Sequence, residues 1–266
     1  MREKLALFYH TATQDGLDRA GLLTLRYLSW TLDYHRRVGR LPPPIATALF
    51  RITRRSYASA ITVLRKTRPQ RYSDADPYKL LWVSPQEIRR TTGEPGAKRR
   101  GWVVGGEWDQ SDQLFFDRTI PKSIDEHYVQ GDCWSETVLA EDCASESELR
   151  HTAEKIETLH RSLRERGYRP QSELLASSGG SAWKDLNDAM HPIVNEIAVD
   201  IGRNGELLWN MAGQHRLALA TVLGLDRVCV QVFRRHREWQ ALRESIISGG
   251  DVPERVVNHP DMQDIR

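Results

Sequence analysis

An α+β fold is the class this sequence predicts, and three stretches predict it. In "GLDRAGLLTLRYLSWTLDYHRR", Leu17, Leu22, Leu25, Leu28 and Leu32 recur at three- to five-residue intervals, which gives one helical apolar stripe. "NEIAVDI" and "ELLWN" flank "GRNGE", whose Asn204-Gly205 is a strong hairpin signal and predicts a type I′ turn. The alanine- and leucine-rich "HRLALATVLGL" follows and leads into the valine-rich "RVCVQVF", a helix and then a third strand. At 266 residues the chain can hold one sizeable core together with an extension. Its 39% hydrophobic and 28% charged residues suit a globular protein on the polar side.

Residues 1–70 read as a helical arm, broken at "RLPPP" (40–44) because proline cannot continue a helix and restricts its predecessor. A second helical stretch, about 45–66, carries Arg51, Arg54, Arg55, Arg65 and Lys66. The polar connector "RPQRYSDADP" leads to "YKLLWVSPQEI" (78–88), strand-like until Pro85. "RRTTGEPGAKRRG" (89–101) is a loop by composition. "WVVGGEWDQ" is a short strand that meets Gly105-Gly106, and 120–150 is acidic with weak periodicity. Residues 147–166 predict a helix through Leu149, Ile156, Leu159 and Leu163, stopped at Gly167. "ASSGGS" (176–181) predicts a flexible loop, and "REWQALRESII" a last helix stopped by Gly249-Gly250. The organisation expected is an arm (1–70), a body (76–248) with an inserted acidic segment at about 105–150, and a tail (249–266).

A net charge of +2 hides an asymmetry. Residues 1–70 hold 13 Lys/Arg against 4 Asp/Glu, and the remainder 25 against 32. The basic arm is either packed on the body with a solvated face, docked on an anionic membrane surface, or in contact with nucleic acid. The cysteines, Cys133, Cys143 and Cys229, form no CxxC pair and no disulfide framework, so a reducing cytoplasm is expected, with peripheral membrane attachment as a variant. No apolar run is long enough to span a bilayer, and the N-terminal stretch does not read as a secretion signal.

Gly213-Gln214-His215-Arg216 stands at the mouth of a predicted helix. Exposed N–H groups and the helix dipole favour anions there. Glycine lets backbone approach a ligand, Arg216 offers a planar fork to phosphate oxygens, and His215 can donate a hydrogen bond or move a proton. The bland reading is a strand-to-helix turn whose arginine pairs with a core-edge carboxylate; Glu196 and Asp200, on the preceding strand, could pair with Arg216 or Arg203. Glu87, Glu94, Glu107 and Asp109, in the loops after the first strands, are candidate general bases; Glu107 and Asp109 follow Gly105-Gly106 and share one face at i, i+2, a pair able to hold Mg²⁺, with a solvated turn as the alternative. "FRRHREWQ" (233–240) reads as a phosphate clamp, a nucleic-acid contact, or the solvated end of a strand entering a helix. Trp102, Trp108, Trp134 and Trp209 are core residues or base-stacking platforms. No histidine pair has metal-ligand spacing on the helix carrying His151 and His160.

The run "GELLWNMAGQHRLALATVLGLDRVCVQVF" resembles the signature of the ParB/sulfiredoxin superfamily: a strand, a G-x-[HR]-R turn, a helix with small residues, a glycine and a valine-rich strand. "KLLWVSPQEI" resembles the superfamily's opening strand, and "EKIETLHRSLRERGYRP" its intervening helix and glycine turn. About half of the chain is covered. The resemblance implies a small mixed sheet with packed helices. It makes Gly213, Gln214, His215 and Arg216 a cradle for a nucleoside tri- or diphosphate, ATP or ADP, with Mg²⁺. Sulfiredoxins carry a cysteine where Gln214 stands, so their sulfur chemistry is not expected. Partitioning proteins read G-E-R-R and continue into a helix-turn-helix domain. Only 30 residues follow His236 here, so that role is not expected either. The G-x-H-R version is similar to small-molecule kinases, which implies phosphoryl transfer to a small hydroxylated acceptor with Glu107, Asp109 and His215 as catalytic candidates. The alternative is a non-catalytic regulator that binds nucleic acid, a partner protein or an anionic membrane through residues 1–70.

Overall fold

The computed structural model describes residues 2–37, 39–94, 99–171, 173–174 and 196–265. The "ASSGGS" loop lies outside the described residues, as do 95–98 of the 89–101 loop. The described residues of 1–78, with 171, 173 and 174, form one compact unit, and those of 79–170 and 196–265 a second. The boundary therefore falls at 78/79, eight residues past the end expected for the arm. Among the described residues no helix is long and apolar enough to cross a membrane.

The first unit is helical: α1 (Arg2–Gln14), α2 (Leu17–Arg37) and α3 (Pro43–Thr67). Pro43 and Pro44 open α3, where a missing N–H is harmless. The leucine stripe of α2 is only partly the buried face. Ala20 and Leu22 are buried, whereas Leu17 and Leu28 face solvent. From α3, Phe50, Thr53, Tyr57 and Ile61 are buried at helical spacing. Tyr72 donates to Asp18 at 2.5 Å, and Arg68 pairs with the same carboxylate at 2.7 Å. These ties secure the segment after α3 to the start of α2. Burial pushes Asp18 up, but Tyr72 and Arg68 outweigh it and hold the carboxyl at about 2.

The second unit is a six-stranded mixed sheet with helices packed on it, an α+β architecture. Its strands are β1 (Leu80–Val83), β2 (Arg90–Thr91), β3 (Trp102–Val104), β4 (Ile197–Ile201), β5 (Leu207–Trp209) and β6 (Val228–His236), in the order β1-β6-β4-β5-β2. β6 is long enough to take β1 antiparallel along its first half and β3 parallel along its second. β4 lies parallel on its other side, with a register shift between Val199 and Ile201. The β2 pairing with β5 was not expected within the compositional loop; two residues are too few to show a period.

The β4–β5 hairpin forms, but its turn is not type I′. Gly205 N–H bonds Gly202 C=O at 3.1 Å, and the positive φ belongs to Gly205 (+96°) and not to Asn204. That is a type I turn followed by a left-handed glycine. A Cβ on Gly205 would lie 2.6 Å from the Trp239 ring, a second reason for glycine there.

The acidic segment is built into the core. α4 (Thr119–Asp125), a π-helical turn (Glu126–Gln130) and α5 (Val138–Asp142) bury Ile124 and Leu139, beside Phe115. α6 (Glu146–Arg166) is capped by Ser145, which accepts from Glu148 N–H at 3.2 Å. α7 (Gln214–Val222) contributes Leu217 to Ala220, all buried, to the same cluster as Ile197, Val199, Ile201, Val228, Val230 and Val232. After α8 (Arg237–Ile247) the chain is not a loose tail. Met262 joins the core, and the fully buried Asp261 accepts from Arg235, from Arg243 and from the Trp239 indole at 2.9 Å. An expected tail whose buried carboxylate serves two arginines and an indole N–H belongs to the body.

Candidate functional site

The turn into α7 is strained and tightly buttressed. Met211 has φ +64°, the sole positive φ of a non-glycine among the described residues, and Ala212 N–H closes a three-residue turn onto Asn210 C=O at 2.8 Å. Such a turn stores about 1–3 kcal/mol and persists only when its surroundings hold it. Here Ala198 bonds both sides, through its C=O to Asn210 N–H (2.8 Å) and through its N–H to Ala212 C=O (3.2 Å). The Trp209 indole donates to Ala212 C=O as well (3.0 Å).

Gly213 is the N-cap, in the left-handed region at φ +77°. A Cβ here would lie 2.8 Å from Ile197 Cα. The glycine thus serves close packing of helix on strand, where the sequence suggested close approach to a ligand. No side chain caps α7. The N–H groups of Gly213, Gln214 and His215 make no hydrogen bond among the described residues, and all three residues are half-exposed. Three successive amides without a partner at a helix N-terminus suit an anion by the helix dipole. Burial, then Lys155 and Arg216, push the His215 imidazole below its usual range, so it is neutral at pH 7.

Arg216 does not face outward as a free fork. Its Nη1 donates to Glu196 Oε2 at 3.0 Å and to the Tyr168 hydroxyl at 3.1 Å, and the same hydroxyl donates to Glu196 at 2.9 Å. The Glu196 side chain is 1% exposed and that of Arg216 13%. This is the core-edge carboxylate pairing, and Glu196 is the partner. Burial holds Tyr168 neutral, far above its usual pKa. Burial, then Glu196, push the neighbouring Cys229 thiol up to about 12.

Glu107 and Asp109 come together, but elsewhere. Both bond Arg203, at 3.1 and 2.9 Å, and Asp109 also accepts from Arg203 N–H at 2.8 Å. Burial pushes Asp109 up, but Arg203 outweighs it and holds the carboxyl below its usual range. They lie beside a shallow polar depression of about 360 Å³, lined by Arg90, Asp109, Asp112, Arg203 and Glu206 among others. Asp109 packs beside Gly202, past the end of β4, whereas Gly213 packs on Ile197 at its start. Five residues of strand, about 16 Å, separate those points. The fold does not gather Glu107, Asp109 and His215 into one centre. Nor do the two carboxylates fit a divalent cation, since a guanidinium already holds both. No group of three metal-ligating side chains occurs among the described residues.

In the "FRRHREWQ" run Arg234, Arg235 and His236 are buried and not solvated, whereas Arg237 and Glu238 are exposed. Arg234 bonds Asp200 and Glu94 at 2.8 Å each, donates to Thr92, and lies 4.0 Å over the Trp108 ring. Asp200 thus pairs with Arg234 and with Asn210, not with Arg203 or Arg216. Trp102, Trp108 and Trp209 are core; Trp134, half-exposed, stacks on His127 at 4.1 Å. Sequence reasoning missed Tyr168 and Asp261, because each is defined by a partner more than 20 residues away, and Asn210, whose partner Asp200 faces it across the hairpin.

Comparisons with family models, with curated proteins and with solved structures found no match to this chain.

Proposed function

We propose that the second unit is a ParB/sulfiredoxin-like module that binds a nucleotide through its phosphates at the first turn of α7. One observation carries the reading: three successive amides, Gly213 to His215, have no acceptor among the described residues, on a turn held in strained geometry by Ala198 and Trp209. The receptor is backbone, and Arg216 supports it from behind through Glu196. Binding is the activity proposed, not transfer, because the candidate bases Glu107 and Asp109 stand at the other end of β4 and are engaged by Arg203. Mg²⁺ then enters as the nucleotide's own counter-ion. A role without chemistry agrees with a regulator more closely than with a kinase.

Calorimetric titration of the full chain with ATP, ADP and CTP, each with Mg²⁺, is the direct test. Gln214→Glu is the informative variant. A carboxylate in the first turn favours the helix dipole by about 0.3–1 kcal/mol, so the melting temperature should hold or rise. The same charge repels phosphate, and affinity should fall at least tenfold. Silent titrations with all three nucleotides, or equal affinity in Gln214→Glu, would remove the reading.

A further inference from the structure

We infer that the outward face of α3 docks the first unit on an anionic lipid surface. The inference is independent of the nucleotide reading. Between Asp33 and Asp74 the sequence holds ten Lys/Arg and no acidic residue. The arm's own groups absorb several of these: Arg68 and Arg71 lie on Asp18, Arg65 donates to Tyr72 C=O, and Arg54 stacks on Tyr78. Arg51, Arg55 and Lys66 are exposed, and no carboxylate among the described residues pairs with any of them.

Beside them lies an apolar row. Ile45, Ile52 and Val63 are 51, 59 and 61% exposed. Their separations of seven and eighteen residues are close to whole numbers of turns at about 3.6 residues each, so they form one line about 27 Å long. Arg51, Arg55 and Lys66 form a second line about a quarter-turn away. Ala48, Ser56, Ser59 and Thr62, small and exposed, fill the space between and around the two rows. The opposite face of α3 is the buried one, through Phe50, Tyr57 and Ile61. A helix lying flat on a membrane wants this arrangement: aliphatics level with the acyl boundary, bases level with the phosphates. The charge row alone would suit any polyanion. The aliphatic row decides for lipid, because a nucleic-acid backbone offers those side chains nothing to bury against.

Flotation of the full chain with vesicles tests this, with equal amounts of phosphatidylglycerol and phosphatidylcholine against phosphatidylcholine alone. The chain should float with the first and not with the second. Each base near an anionic surface contributes about fivefold, so Arg51→Gln alone should lower the partition coefficient about fivefold, and R51Q/R55Q/K66Q about a hundredfold. I52S/V63S keeps every charge and should still lower it tenfold or more. All substituted residues are exposed, and circular dichroism would show the helices retained. Failure of the wild type to float with anionic vesicles overturns the inference. So does wild-type partitioning by I52S/V63S with displacement by a DNA duplex, which would assign the face to nucleic acid instead.

Discussion

The two ends of β4 carry the same chemical pair and use it differently. At the start, Glu196 and Arg216 are almost wholly enclosed, with Tyr168 completing the triangle. At the end, Arg203 is 21% exposed and divides itself between the buried Asp109 and Glu107, which is 71% exposed. The enclosed pair holds a helix on a strand and leaves the backbone beside it open. The half-open cluster ties a hairpin loop to the turn after β3. A carboxylate beside a guanidinium in sequence reasoning looks like chemistry in either place. Burial separates them: at the start of β4 the ion pair is enclosed, and the Gly213 to His215 amides beside it have no acceptor among the described residues.

The largest effect expected is on stability, from Arg216→Ala. It would leave the Glu196 carboxylate enclosed without its cation, at about 3–5 kcal/mol. Equilibrium urea denaturation would measure it. Arg216→Met with Glu196→Gln should recover most of the loss, since Gln still accepts from Tyr168 and no charge is stranded. A mild loss in Arg216→Ala, with nucleotide affinity falling instead, would move Arg216 from support to receptor and dissolve the contrast between the two ends.

Much of the fold was legible because it is written in short-range pattern. The Asn204-Gly205 hairpin, the Leu149–Leu163 helix and the alternation through Val228, Val230 and Val232 need only neighbours. The type of the 202–205 turn was not legible, since one left-handed glycine satisfies a type I hairpin as well as two satisfy type I′. What fixes Gly205 is Trp239, 34 positions away. The burial of the "FRRH" arginines is not legible in the sequence for the same reason. An arginine is buried only where a carboxylate waits, and Asp261, Asp200 and Glu94 lie 26 to 140 residues distant. Within the candidate site, the Gly213-to-Arg216 turn was legible as a helix mouth. The distance from it to Glu107 and Asp109 was not, because β4 and β5, which set that distance, contain none of those residues.

Arg203→Ala should have an intermediate effect, about 1–3 kcal/mol, because Asp109 stays buried but keeps the residue-203 amide. The pH dependence sharpens the point. The folded carboxyl of Asp109 sits below its unfolded value of roughly 3.9. The folded state therefore binds protons less readily, so Asp109 adds stability above about pH 4 that is lost as pH falls through the folded pKa. The gap between wild type and Arg203→Ala should be full at pH 7 and narrow below about pH 4. A gap that stays constant from neutral to strongly acidic pH would show that Arg203 acts by packing alone.

The smallest effect, and the most pointed, is expected of Glu107→Gln. Its carboxylate is mostly in solvent and touches only one edge of Arg203, so the stability change should stay below about 0.5 kcal/mol and vanish in high salt. Nucleotide affinity should not change at all, because the residue stands about 16 Å of strand away from the α7 amides. The contrast with a catalytic role is steep. A general base commonly contributes about a hundredfold or more to a rate, and its amide cannot replace it. Should the chain turn over a nucleotide, and Glu107→Gln abolish that turnover while sparing binding, the far end of β4 would be the reacting end. The open amides of α7 would then position one part of a substrate that spans the sheet.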